Sequence, residues 1–213
     1  MYKSAPIRFG SLRAKLPLAM PGQRIGLLGG SFNPPHAAHR LISQIALRRL
    51  GLDRVWWIVT PGNPLKSPSE LLPLGERLER ANAIKQDSRI TVTAFETGLA
   101  SPFTAGTLGF LKLRYPAVRF VWLMGGDCLG QFHRWRQWRD IFQLLPVAVI
   151  DRPGWHLQGL AAPAARAFSG YRLPEQKARA LAFEPAPAWT LLTGPLMPLS
   201  STAIRARARG THR

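Results

Sequence analysis

The 213-residue chain contains a single cysteine, Cys128. One thiol excludes an internal disulfide framework and cannot by itself hold a metal, so Cys128 reads as a small buried residue in a reducing cytoplasm. Acidic residues are also scarce, 11 Asp and Glu against 29 Lys and Arg, and they do not gather into a carboxylate cage for a metal ion. No apolar run approaches the roughly 20 residues that cross a bilayer, which excludes a helical membrane span. No internal repeat or low-complexity linker divides the chain, and its length suits one domain with a sizeable core. Residues 1–23 carry Lys3, Arg8, Arg13 and Lys15 with no acidic residue and no settled period. They lack the long apolar stretch of a secretory signal and read as a loosely ordered basic arm before a domain spanning 24–213.

What is abundant is positive charge and punctuation. The formal net charge is +18, with 19 glycines, 19 prolines and 46% hydrophobic residues, a mixture that suits a globular chain with many short loops. A polyanion or an anionic small ligand is the natural partner for such a surplus. Much of it, however, is arginine scattered as in 134-RWRQWRD-140 and 205-RARARGTHR-213. An arginine-biased composition leaves the same residues on solvated faces, so the charge alone does not choose a partner.

Short apolar runs recur at 25-IGLL-28, 55-VWWIVT-60, 90-ITVTAF-95, 119-RFVWLM-124, 147-VAVI-150 and 189-WTLLT-193, with helical patterns filling most of the gaps. This is a βαβ rhythm, and continuous rather than alternating hydrophobicity predicts strands buried on both faces of a parallel sheet. Helices are predicted over 37–50, where Leu41, Ile45 and Leu47 or Arg48 follow successive turns and Gly51 stops the chain. A second is expected over 75–87 with Leu78, Ala81 and Ile84 on one face, a third over 104–114 capped by Thr104, and a last one starting within 200–209. Ligands of an open parallel sheet bind beyond the carboxyl ends of its strands, so the loops after each run carry the functional information.

The first of these loops reads 29-GGSFNPPHAAHR-40. Two glycines permit a tight turn and close approach of a ligand to the backbone, and the following helix offers unpaired N–H groups and a positive dipole end. A helix beginning near Pro35 or His36 puts His36 and His39 on one face of its first turn. There both imidazoles can donate to phosphate oxygens and stabilise charge developing at an attacked phosphorus.

The stretch resembles the H-x-G-H signature of nucleotidyltransferases, in the version found in bacterial nicotinate-nucleotide adenylyltransferases, with Ala38 where glycine is common. That resemblance implies a Rossmann-like doubly wound parallel sheet with helices on both faces. It also implies that Gly29, Gly30, Ser31, Phe32, His36 and His39 hold ATP. Later segments agree in order and spacing over about residues 24–208. Lys66 in 60-TPGNPLKSP-68 would meet the mononucleotide's 5′-phosphate. In 101-SPFTAGTL-108, Thr104 would offer a hydroxyl to the pyridine carboxylate, with Phe103 replacing the usual tyrosine. In 125-GGDCLGQFHRWRQW-138, Asp127 helps hold the adenosine side, Trp135 packs on the nicotinate ring, and Arg136 stands where many members have an aromatic residue. Arg152 in 151-DRPG-154 lies near the nucleotide. In 199-LSSTAIRAR-207, Ser200 or Ser201 caps a second helix whose Thr202 and Arg205 reach the triphosphate.

The resemblance implies adenylyl transfer from ATP to nicotinate mononucleotide, with His36, His39 and Arg205 as the catalytic set. Magnesium would enter on the ATP phosphates with no protein ligands. A relative acting on nicotinamide mononucleotide or phosphopantetheine is the alternative within this class. A basic nucleic-acid-binding module would explain the charge, yet it gives no reason for the paired histidines.

Overall fold

The computed structural model describes residues 16–62, 71–99, 103–151 and 156–194. Six strands form one all-parallel sheet: β1 (Arg24–Gly30), β2 (Arg54–Val59), β3 (Ile90–Thr93), β4 (Arg119–Gly125), β5 (Val147–Ile150) and β6 (Trp189–Leu192). Their order is β3-β2-β1-β4-β5-β6, the doubly wound arrangement. Each apolar run quoted above became a strand; β2, β4, β5 and β6 are almost wholly buried, while the ends of β1 and the middle of the edge strand β3 are partly exposed.

Alternation along β2 divides the core. Trp56 and Ile58 face a cluster with Leu108, Leu111, Phe132 and Phe142, which belong to α3 (Thr104–Arg114) and to the segment after β4. Trp57 and Val59 face the opposite cluster with Ile42, Ile45, Ala46 and Leu47 of α1 (Ala37–Arg49) and Ala81 of α2 (Leu74–Ile84). Helices therefore cover both faces, as the doubly wound expectation requires. The last helix, placed by sequence within 200–209, lies outside the described residues.

Local details differ from the periodicity reading in two places. In α1 the buried stripe runs through Ile42, Ile45, Ala46 and Leu47, while Leu41 is only partly buried. In α2 the buried side chains are Ala81 and, unexpectedly for a cation, Arg77, with Leu78 and Ile84 at the margin. Gly51 does stop α1: its φ of +64° is the left-handed conformation that glycine adopts without strain.

The amino-terminal side is tied down from residue 16 onward. The Tyr115 hydroxyl donates to the Pro17 carbonyl at 3.0 Å, the Gly22 N–H donates to the Ala117 carbonyl at 2.7 Å, and Leu16 and Ala19 pack on the core. The lower end of β1 is fixed by Arg24, which grips Asp53 of the α1–β2 turn at 2.7 Å and 3.1 Å. That contact holds the Asp53 carboxyl below the usual carboxylate range.

The upper end of β1 is shaped by a close approach. A side-chain carbon added at Gly29 would lie 2.5 Å from Cη2 of Trp122, a buried indole on the neighbouring strand β4. At Gly30 the nearest neighbour would be the Phe32 ring at an ordinary 3.5 Å. Gly29→Ala is thus expected to destabilise by about 1–3 kcal/mol through overpacking, whereas Gly30→Ala is expected to leave the urea midpoint of the ligand-free protein unchanged. Equal midpoints for the two variants would contradict the Trp122 contact.

Candidate active site

β1 lies between β2 and β4, where the winding of the sheet reverses, so the crevice above its carboxyl end is the natural ligand site of this architecture. The chain leaves β1 through Gly29 and Gly30 and turns at Phe32, whose φ of +47° is a left-handed conformation uncommon for a bulky residue. The Phe32 side chain does not point at a ligand: it is fully buried, stacked on the His39 ring at 4.4 Å and on Trp57 at 5.3 Å. A nucleotide over this loop would meet Phe32 through backbone. Ser31 is also buried.

His36 takes the cap position of α1 in extended conformation, and His39 is the third helical residue. The His36 N–H donates to Nδ1 of His39 at 3.2 Å, while the His39 N–H donates to the His36 carbonyl at 3.0 Å. The pair replaces the Ser/Thr and Glu of an ordinary capping box. Since Nδ1 of His39 accepts, the neutral imidazole carries its hydrogen on Nε2. The two rings lie 4.0 Å apart. Beneath them Ser43 donates to the His39 carbonyl at 2.9 Å and accepts from the Trp57 indole at 2.7 Å, fixing the turn from the core side. The sequence expectation that both histidines share the first turn is met, and they stand at the positive end of a thirteen-residue helix.

Across the crevice, Asp127 follows β4 in the first turn of α4 (Gly126–Gln131) and is partly buried. Trp135 is half-buried, 5.0 Å from Phe132 and edge-on to Trp122 at 6.4 Å. Arg136 is exposed, with its guanidinium 4.6 Å above the ring of Phe103. Two of the three departures from the family pattern noted in the sequence, Phe103 and Arg136, therefore touch each other.

Thr104 does not cap α3. Phe103 occupies that position in extended conformation with no side-chain cap, and its carbonyl accepts from the Thr107 N–H at 3.2 Å. The threonine whose hydroxyl is engaged is Thr107, which donates to Glu96 at 2.7 Å. Lys66, Arg152, Ser200, Ser201, Thr202 and Arg205 lie outside the described residues. Within them, no three His, Cys, Asp or Glu side chains gather into a metal site, and no helix is long and apolar enough to cross a membrane.

Two residues escaped the sequence reading. Glu96 sits beyond β3, and burial pushes its carboxyl above the ordinary glutamate range, opposed by hydrogen bonds from Thr107 and Thr60. Arg77 is 1% exposed, and its described partners are backbone carbonyls: Leu72 at 2.8 Å, Ser31 at 2.8 Å, Thr60 at 2.7 Å and Pro61 at 3.1 Å. The available signal for Arg77 was a cation inside the apolar stripe Leu74, Leu78, Ala81 and Ile84. Glu96 had no periodic signal at all.

The cytidylyltransferase-like family matches residues 27–207. A protein of Methylorubrum extorquens, named "Probable nicotinate-nucleotide adenylyltransferase", is 58% identical over 184 residues, covering 86% of this chain and 100% of the relative. A Rhizobium meliloti protein of the same name is 54% identical over 186 residues, covering 87% and 99%. Among solved structures, Plasmodium falciparum nicotinic acid mononucleotide adenylyltransferase complexed with NaAD aligns with a TM-score of 0.65 at 18% identity, over 86% of this chain and 83% of that one. At that identity the likeness concerns the fold, and it is the same Rossmann-like α/β architecture.

The raised Glu96 carboxyl makes a stability prediction. The folded chain binds this proton more tightly than the unfolded chain, so the associated stability is complete below the ordinary glutamate value and is lost as pH rises through the raised one. Urea midpoints of the wild type should therefore fall relative to those of Glu96→Gln as pH increases from about 4 towards neutrality. Curves that stay parallel would contradict the assignment.

Proposed function

This chain belongs to the cytidylyltransferase-like family, and from that premise we infer that it is a nicotinate-nucleotide adenylyltransferase of NAD biosynthesis. Its reaction is adenylyl transfer: a 5′-phosphate oxygen of nicotinate mononucleotide forms a bond to the α-phosphorus of ATP, and the bond from that phosphorus to the bridging oxygen of the β-phosphate breaks. The products are nicotinate adenine dinucleotide and pyrophosphate. The curated relatives above 50% identity that cover nearly all of their own length carry this name.

The observation that carries the mechanism is the His36–His39 pair at the amino end of α1, above the carboxyl end of β1. No covalent intermediate is needed, because transfer at phosphorus is accelerated mainly by positioning and by stabilising charge. Gly29, Gly30 and Ser31 supply the backbone over which the triphosphate lies. The Nε2 hydrogen of His39, fixed there by the cap, donates to an oxygen of the reacting phosphate, and His36 lies beside it. Arg205 completes the catalytic set, with Ser201, Thr202 and Arg152 on the ATP side and Asp127 towards the adenosine. On the acceptor side, Lys66 takes the 5′-phosphate and Trp135 the pyridine face, while Thr104 and the Phe103-stacked Arg136 take the carboxylate.

The described donors along this edge are the two imidazoles and carboxylates on separate loops, Glu96 beyond β3, Asp127 after β4 and Asp151 after β5, with no three of them gathered into a cluster. That donor set fits magnesium carried in on phosphate oxygens and water, where the ion would neutralise charge on the triphosphate. Two anionic substrates also suit the net charge of +18, and both substrates and the lone cysteine favour a cytoplasmic setting.

Pyrophosphate release from magnesium-ATP is expected with nicotinate mononucleotide in preference to nicotinamide mononucleotide or phosphopantetheine, all three assayed in parallel. Preference for either of the latter would overturn the substrate assignment. His39→Ala should lower turnover on the order of 10²-fold or more with the fold retained, and a folded variant of near-normal turnover would remove His39 from the mechanism.

A further inference from the structure

Arg77 is a fully buried cation whose described partners are carbonyl oxygens from three separate segments. Ser31 follows β1 and precedes the left-handed Phe32 that stacks under His39. Thr60 and Pro61 follow β2, and Leu72 precedes α2. One nitrogen of the guanidinium, Nη1, donates to both the β1 side and the β2 side, at 2.8 Å to Ser31 and 2.7 Å to Thr60. Further bonds close the same frame. The Thr60 N–H donates to the Gly30 carbonyl at 3.0 Å, and the Leu72 N–H donates to the Asn33 side-chain carbonyl at 3.3 Å. Burial lowers the Arg77 pKa from the ordinary arginine value, yet an arginine remains a cation throughout the working range.

A buried charge with no carboxylate among its described partners is costly, and a rigid planar fork with five N–H donors is well suited to answer several carbonyls at once. Placing such a group between the β1 and β2 loops sets their separation. In-line attack requires the reacting oxygen and phosphorus to be held about 3–3.5 Å apart, so displacement of one loop by as little as about 1 Å can cost on the order of 10²-fold.

We propose that Arg77 is a positioning residue for the transfer reaction: it braces the triphosphate loop after β1 against the mononucleotide loop after β2 and so sets the distance between the two reacting phosphates. The proposal rests on the adenylyl-transfer reading. Arg77 touches neither substrate; it acts through the Ser31, Thr60 and Pro61 carbonyls. Its loss should leave each loop able to bind its own ligand while the two are no longer held in register.

The test uses the full-length protein and the variants Arg77→Lys and Arg77→Ala. Folding is followed by circular dichroism, and the binding of magnesium-ATP alone and of nicotinate mononucleotide alone by calorimetry. Turnover is followed by pyrophosphate release. Arg77→Lys is expected to lower kcat about 10- to 10²-fold, with each separate dissociation constant within about threefold of the wild type. Adding ethylguanidinium to Arg77→Ala should restore part of kcat, and sodium chloride at equal ionic strength should not. Unchanged kcat in folded variants would overturn the proposal. So would a loss explained wholly by weaker binding of one substrate, absence of guanidinium rescue, or collapse of the fold in both variants, since a purely structural cation behaves that way. Failure of the wild type itself to release pyrophosphate with these substrates would instead overturn the reading beneath it.

Discussion

Everything in the site hangs from the double pairing of β1. Its backbone is bonded to β2 on one edge and to β4 on the other, with Leu28 opposite Trp57 and Leu123. Parallel neighbours on both sides force the chain to leave the strand upward, over the sheet's carboxyl edge, before it can return through a helix. The turn that results has little room. Trp122 crowds Gly29 from β4, Phe32 folds back under the helix, and the first turn of α1 comes to rest above the strand end with its histidines in place. The imidazole geometry is therefore a product of sheet topology as much as of the two residues that supply the rings.

Much of this is legible in the amino-acid sequence. Continuous apolar runs such as 55-VWWIV-59 mark strands buried on both faces, and GG followed by two histidines three apart marks the turn into a helix whose first turn carries both rings. What could not be read depends on which atoms meet across long separations. Arg77 stands out in the sequence only as a cation within an apolar stripe, and a one-dimensional pattern does not show four carbonyls converging on it. Thr104 looked like a helix cap, but the backbone of Phe103 reached the extended conformation first, leaving Thr107 as the engaged hydroxyl. Gly29 suggested space for phosphate, and its nearest constraint proved to be an indole from the adjacent strand.

The surplus of arginine is housed without matching acids. Ion pairs such as Arg24 with Asp53 and Arg49 with Glu175 account for some of it. Others lie over rings: Arg119 on Phe183 at 4.8 Å, Arg136 on Phe103 at 4.6 Å and Arg139 on Trp138 at 4.3 Å. Arginine suits such positions because its delocalised, weakly hydrated head stacks on an aromatic face at modest cost in solvation. A lysine-rich chain of the same net charge would not be accommodated in this way.

The capped tautomer of His39 also bears on how the site treats its ligands at rest and during reaction. A neutral ring with its hydrogen held on Nε2 by the His36 backbone interacts modestly with a resting phosphate oxygen and more strongly as negative charge accumulates there. On the adenylyl-transfer proposal, the backbone hydrogen bond that starts the helix would thus give the site a donor that discriminates in time, holding hardest at the moment of transfer and letting go of what is left.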